Sequence, residues 1–244
     1  MNFVIGDVHG EYTKLKSLIK NVLSIDGNPN LIFIGDYINK GEDSYSTLKY
    51  LTQIDKEIKC VFLLGNHEYY WKLLKESNDQ YAQSLIKFGA KNTINSINKE
   101  LSILETQKIL FNEFKSFFEV LKNYHIEGEY IITHSGIPPE LYNTPIEKIA
   151  TDQLLFNRYD FLRSNKLYFN KKIIFGHTGF YSPYYDGFKI GIDTAACYME
   201  TQPLTAFCTD EIFFINSNNE TSSLSAINQA VCPAIPRVKA WRQL

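Results

Sequence analysis

Seven side chains able to share metal ions or move protons stand at the ends of five short apolar runs: Asp7, His9, Asp36, Asn66, His67, His134 and His177. The runs read FVIGDVHG (3–10), LIFIGDYINKG (31–41), VFLLGNHE (61–68), YIITHSG (130–136) and IIFGHTG (173–179). Carboxylate, imidazole and amide oxygen together suit a divalent ion of intermediate hardness, such as Mn, Fe or Zn. Seven donors exceed one tetrahedral site. Two ions about 3.5–4 Å apart that share one carboxylate are the economical arrangement, and such a pair can clamp a phosphate. Asp36 ends an unbroken apolar run, where an unpaired charge would be costly. Two cations would neutralise it there.

One such phrase alone is a weak signal, because an Asp at a strand end often caps the next helix. Five in one chain, holding four of the five histidines, are hard to read as independent caps. The fifth, His125, lies in KNYHIEGE and reads as a surface or loop residue. Gly6, Gly35, Gly65 and Gly176 precede the donors, where a side chain would block close approach of the backbone.

The elements that must position these donors follow from patterning. Each run has the length and the Ile, Val, Leu and Phe content of a buried strand. EYTKLKSLIKNVL (11–23) carries a helical stripe of Leu15, Leu18, Ile19 and Val22. DSYSTLKYLTQI (43–54) carries Leu48, Leu51 and Ile54, with Asp43 or Ser44 as N-cap. Strand, loop, helix, strand is an α/β pattern with parallel neighbours. Ligands in such sheets sit beyond the carboxyl ends of the strands. Residues 69–124 interrupt the rhythm and read as a helical insertion, notably ETQKILFNEFKSFFEVLKNY (105–124). After Gly179 the chain turns β-rich, in GFKIGIDT (187–194), PLTAFCT (203–209) and EIFFIN (211–216). We therefore expect one domain over 1–216 and a C-terminal extension over 217–244. The extension begins as a polar low-complexity stretch and ends with Pro233, Ile235, Pro236, Val238 and Trp241, which suit docking.

Composition narrows the function. The chain has 244 residues, 44% hydrophobic and 21% charged, with a net charge of -2. That charge gives no global pull toward nucleic acid or anionic membrane, and no basic stripe with interleaved aromatics is visible. No stretch approaches the length of a membrane span, and the N-terminus lacks a signal-peptide pattern. Cys60, Cys197, Cys208 and Cys232 form no C-x-x-C pair and read as reduced buried thiols, so a cytoplasmic setting is expected.

The ordered phrases GDVHG, GDYINKG, GNHE, THSG and GHT resemble the motifs of the calcineurin-like metallophosphoesterases, in particular the bacterial and phage phosphoprotein phosphatase branch. KFGAKNTINSI (87–97), LLFNRYDFL (154–162) and IGIDTAACY (190–198) are similar to further family segments, so the resemblance covers about residues 1–210. It implies a four-layer αββα sandwich with two central mixed sheets. It implies that Asp7 and His9 hold a first ion, that Asp36 bridges, and that Asn66, His134 and His177 hold a second. It implies two divalent cations (Mn foremost, Fe or Zn otherwise), a hydroxide activated between them, His67 as general acid, and Lys40, Asn66 and Arg158 on the substrate phosphate. The implied activity is phosphomonoester hydrolysis of the protein serine/threonine phosphatase type. The alternatives are a symmetrical dinucleoside tetraphosphate hydrolase and a weakly active metal-binding interaction module. The substrate is then a phosphoprotein or a nucleotide.

Two departures mark this chain. The family's Asp-Arg-Gly is here Asn39-Lys40-Gly41. Asn39 is expected to accept a hydrogen bond from His67 without supplying the charge that favours imidazolium, and Lys40 supplies a point charge where a planar fork is usual. A weaker acid favours leaving groups that need less protonation, such as aryl phosphates or phosphoanhydrides. The second departure is the loop Met199–Ala206, METQPLTA, in place of a Gly-Gly turn. Tyr69, Tyr70, Trp71 and Tyr181 are candidates for stacking on a purine, with plain packing the blander reading.

Overall fold

The apolar runs become strands buried on both faces. The computed structural model describes residues 1–76 and 79–227. The strands are β1 (Asn2–Ile5), β2 (Asn30–Phe33), β3 (Cys60–Phe62), β4 (Tyr124–Glu127), β5 (Tyr130–Thr133), β6 (Lys172–Phe175), β7 (Tyr184–Tyr185), β8 (Lys189–Gly191), β9 (Thr205–Cys208), β10 (Phe213–Asn216) and β11 (Thr221–Ser223). The helices are α1 (Tyr12–Ile25), α2 (Ser44–Ile54), α3 (Asn66–Leu73), α4 (Gln80–Lys87), α5 (Ala90–Ile97), α6 (Ile103–Glu113), α7 (Lys115–Glu119) and α8 (Tyr159–Arg163).

Two mixed sheets result. The first has the order β11-β10-β9-β1-β2-β3 and the second β4-β5-β6-β8-β7. Within them β1, β2 and β3 run parallel, as do β5, β6 and β8. Alternation along each strand separates three cores. Phe3, Ile5, Leu31 and Phe33 face α1, α2 and the insertion. Val4 and Ile32 face Ile132, Ile174 and Ile190 of the second sheet. Ile131, Ile173 and Phe175 face the outer layer beyond it. Each large apolar side chain buried this way contributes about 1.5–3 kcal/mol. The four layers match the expected αββα order, although the outer layer on the second sheet is made of short 3-10 turns and the five-residue α8.

The helical stripe of α1 is buried as patterned, and Asp43 caps α2 by accepting from Ser46 N. The insertion differs from its reading in one respect. The stretch 105–124 is not one helix. It breaks at Phe114 so that Phe117 can pack on Tyr37 and Phe62, both at 5.0 Å, and Phe118 can stack on Phe111 at 4.3 Å. Tyr124 then opens a hairpin with β5 whose two-residue turn uses Gly128 at φ +54°. His125 lies on this edge strand, 3.5 Å from Glu127. After Asn216 the polar stretch turns back and adds β11 to the first sheet. Pro233, Ile235, Pro236, Val238, Trp241 and Cys232 lie outside the described residues. Cys60, Cys197 and Cys208 are free thiols, and only Cys208 is fully buried. No helix among the described residues is long and apolar enough to cross a membrane.

Candidate metal centre

The parallel strands of both sheets end on one point. Asp7 and His9 follow β1, Asp36 follows β2, Asn66 follows β3, His134 follows β5 and His177 follows β6. All but His177 are almost completely buried. Asp36 faces both sides of the cluster. Its Oδ2 is 3.4 Å from His9 Nε2 and 3.8 Å from His67 Nε2, and its Oδ1 is 3.5 Å from His134 Nε2. The donor atoms form two groups, one of His9, Asp36 and His67 and one of Asp36, His134 and His177. Asp7 lies beside the first group, 3.9 Å from His9 Nε2.

Backbone carbonyls set the ring orientations. His9 Nδ1 donates to Ile38 O at 3.1 Å, and His134 Nδ1 donates to Ile34 O at 3.0 Å. Each Nε2 therefore turns a lone pair inward, the arrangement that holds a metal-binding imidazole in one tautomer. Asn66 Oδ1 lies 2.9 Å from His134 Nε2 and 2.7 Å from His177 Nδ1. Inward-facing lone pairs and carboxylate oxygens at these distances fit divalent cations. Burial holds His9, His67, His134 and His177 in the neutral form that a metal requires, with His9 pushed down to about 3.

The local backbone is bent to reach this arrangement. His9, Asp36 and His177 have φ of 47°, 55° and 63°. A non-glycine residue held there costs of order 1–3 kcal/mol and persists only where the surroundings enforce it. Glu68, fully buried in the first turn of α3, enforces it at Asp36. Its Oε2 accepts from Asp36 N at 2.9 Å, and its Oε1 accepts from Tyr37 N at 2.9 Å and from Ile38 N at 3.3 Å. Burial and the neighbouring Asp36 push its carboxyl up to about 8 despite these donors. Gly65 and Gly176 are required by close approach. A Cβ at Gly65 would lie 2.1 Å from Asp36 N, and one at Gly176 would lie 2.0 Å from Asp7 Oδ1.

The structure also brings in the other expected residues. Arg158 donates from Nη2 to His177 O at 3.0 Å, beside the second group. Lys40 Nζ is 2.8 Å from His9 Nε2 and 4.9 Å from the Tyr198 ring centroid. Asn39 meets His67 with Nδ2 2.8 Å from Nδ1. The sense of that bond is opposite to the expectation. Trp71 Nε1, which can only donate, lies 3.1 Å from Asn39 Oδ1, and Thr93 Oγ1 donates to the same oxygen at 2.8 Å. The amide oxygen is thereby committed, so its NH2 donates to His67 Nδ1. His67 carries its proton on Nε2, facing Asp36.

In the sequence Trp71 stands only as a stacking candidate, and no site role falls to Thr93 or Asp193. Asp193 follows β8 in the phrase FKIGID, a sixth strand end that carries a possible donor. It is buried, accepts from Ala195 N at 2.9 Å, and with burial helps to raise the carboxyl of Asp7.

The family profile described as calcineurin-like phosphoesterase matches residues 3–209. The chain is 29% identical over 183 residues to the symmetrical bis(5'-nucleosyl)-tetraphosphatase of Buchnera aphidicola, covering 70% of this chain and 58% of that protein. It is 26% identical over 235 residues to the asymmetrical bis(5'-nucleosyl)-tetraphosphatase PrpE of Oceanobacillus iheyensis, covering 87% of this chain and 90% of that one. The chain spans about half the length of the symmetrical relatives it matches. A solved cold-active protein-tyrosine phosphatase of a psychrophilic Shewanella shares the fold, with a TM-score of 0.65 and 16% identity over 91% of this chain and 80% of that one. The chain belongs to the calcineurin-like phosphoesterase family.

Proposed function

We propose that this chain is a metal-dependent hydrolase that cleaves phosphoanhydrides of the kind dinucleoside polyphosphates carry, in preference to alkyl phosphomonoesters. Asp7, His9 and Asp36 would hold one divalent cation, and Asp36, Asn66, His134 and His177 a second. When bound, such ions lower the pKa of a water and draw charge from the nonbridging oxygens of a phosphoryl group. Mn is the first metal to try, with Fe and Zn next. Arg158 and Lys40 would grip the phosphoryl oxygens, Arg158 with the advantage of a planar fork.

The observation that carries the substrate preference is the sense of the Asn39–His67 bond. A carboxylate at position 39 would accept from Nδ1–H and favour imidazolium, the species that gives up a proton readily. Asn39 instead donates, and burial works in the same direction. Neutral His67 can hydrogen-bond a leaving oxygen through Nε2–H but is a poor proton donor. A serine or threonine alkoxide needs that proton, whereas a nucleotide phosphate leaves as a stable anion.

The surroundings of His67 support an aromatic-bearing leaving group. The Phe88 ring is 5.7 Å from His67, Tyr70 is 5.5 Å from Phe88, and Phe156, 41% exposed, is 5.6 Å from Tyr70. Tyr69 borders Phe156 at 6.3 Å. Trp71 is buried and serves Asn39, and Tyr181 lines a different cleft. Of the tyrosines and tryptophan considered for stacking, Tyr70 and then Tyr69 would be the ones available to a base beyond His67. The test compares kcat/KM for diadenosine tetraphosphate and for a phosphoserine peptide with Mn present. The anhydride should be the better substrate, and a phosphoserine peptide hydrolysed equally well would overturn the preference.

A further inference from the structure

The lone pair of His9 Nε2 has two claimants. His9 Nδ1 spends its proton on Ile38 O, so Nε2 has a single lone pair and no hydrogen. Lys40 Nζ, a donor only, lies 2.8 Å from that nitrogen. One lone pair cannot serve an ammonium hydrogen and a cation at once. The other donors proposed for that ion surround the same nitrogen, with Asp36 Oδ2 and Asp7 Oδ2 at 3.4 Å and 3.9 Å from Nε2.

We propose that Lys40 is the internal counter-cation of the first ligand group, competing with the first ion for His9 and released into the adjoining cleft when that ion binds. The inference rests on the two-ion reading above.

The main chain of Lys40 is fixed. Its N–H donates to Gly89 O at 3.3 Å, its carbonyl accepts from Asn92 Nδ2, and its φ is 60°. Exchange therefore falls to the side chain alone. The same ammonium already lies over the Tyr198 ring, 4.9 Å from its centroid. Lys40 and Tyr198 together line a cleft of about 740 Å³ with Gly41, Asn92 and Met199. An ammonium moved there keeps a cation-π partner and faces the cleft, where it can meet an anionic oxygen of a substrate. Lys40 thus serves as stand-in cation without the ion and as anion ligand with it. The second group is built differently. His134 Nε2 and His177 Nδ1 both face the neutral oxygen of Asn66, so no ammonium has to be displaced there.

The test is a calorimetric titration of metal-free protein with MnCl2 at one fixed pH, with bound Mn counted by mass spectrometry and the dipolar-coupled Mn pair followed by electron paramagnetic resonance. The wild-type protein should bind one Mn tightly and a second at least about tenfold more weakly, a typical scale for coupled sites. Asn66→Ala should abolish the tight event and spare the weak one. Lys40→Met should tighten the weak event by about tenfold and bring the coupled-pair signal in at lower Mn. Two equal events in the wild-type protein overturn the proposal without any variant. A second event unchanged within about twofold in Lys40→Met also overturns it while leaving the two-ion reading standing. Absence of a bound pair in both proteins overturns the two-ion reading and this proposal with it.

Discussion

The side proposed to hold the ions and the side proposed to face the leaving group are built from different material. Asp7, His9, Asp36, Asn66, His134 and His177 hang from the ends of parallel strands, and the pairing of those strands fixes where they stand. The environment of His67 is assembled from the helical insertion: Trp71 in α3, Phe88 after α4 and Thr93 in α5 surround the His67–Asn39 pair. The first side keeps a donor set suited to two cations. The second side keeps the histidine but reverses the hydrogen bond that would charge it. The strand pairing fixes where the candidate donors stand, while Trp71 and Thr93 of the insertion fix the sense of the Asn39–His67 bond.

Asp36→Ala tests the ion side most severely. Removing the carboxylate that faces both ligand groups should lower turnover of every phosphate substrate by on the order of 10³-fold or more and cost one bound Mn. Retention of activity on any substrate would place the chemistry elsewhere.

Asn39→Asp tests the leaving-group side. A carboxylate at this position can accept from Trp71, Thr93 and a protonated His67 together. Turnover of alkyl phosphates should rise roughly 10- to 100-fold, below or at the low end of what a general acid supplies, with little change for aryl phosphates or anhydrides. Equal gains on all three would separate the effect from proton donation.

Glu68→Gln probes the joint between the two sides. An amide NH2 would face one of the backbone N–H groups now bonded, which should cost about 1–3 kcal/mol of stability. The pH dependence has a definite sign. The folded-state pKa of Glu68 is raised to about 8, so its carboxyl is protonated in the folded chain but ionises in the unfolded chain above the usual range. Its contribution to stability is present at low pH and is lost as pH rises toward 8. Melting temperatures of metal-free protein from pH 5 to pH 8 should fall more steeply for the wild type than for Glu68→Gln. Parallel curves would contradict the raised carboxyl.

The positions of the candidate donors were legible in the sequence because each strand announces itself as a buried apolar run and each donor follows at once. Asp193 carried the same signal in FKIGID, yet its phrase lacks the histidine or Asn that made the others conspicuous. The Asn39 amide was not legible, since its sense is set by residues 32 and 54 positions away. The β4–β5 hairpin was missed because the phenylalanines of 111–118 extend a helical pattern up to it, although Gly128 marks the turn. Lys40 was legible as a cation in the loop after β2, but its bond to His9 depends on the fixed backbone between Gly89 and Asn92.

The smallest expected effect follows from that same amide. Trp71→Phe removes one of the two donors that commit the Asn39 oxygen. Some of the population can then turn the amide and accept from His67. Alkyl phosphate turnover should rise by about threefold relative to aryl turnover, as one neutral hydrogen bond of about 1 kcal/mol would allow. A uniform loss would mark Trp71 as a packing residue alone.

The most direct test is the dependence of kcat/KM on leaving-group basicity in the Mn-loaded wild-type protein, measured over a series of aryl and alkyl phosphates. Neutral His67 requires a steep decline as the leaving oxygen becomes more basic, with Asn39→Asp flattening it. A flat dependence in the wild type would mean that His67 delivers a full proton and that the Asn39 bond does not decide the substrate.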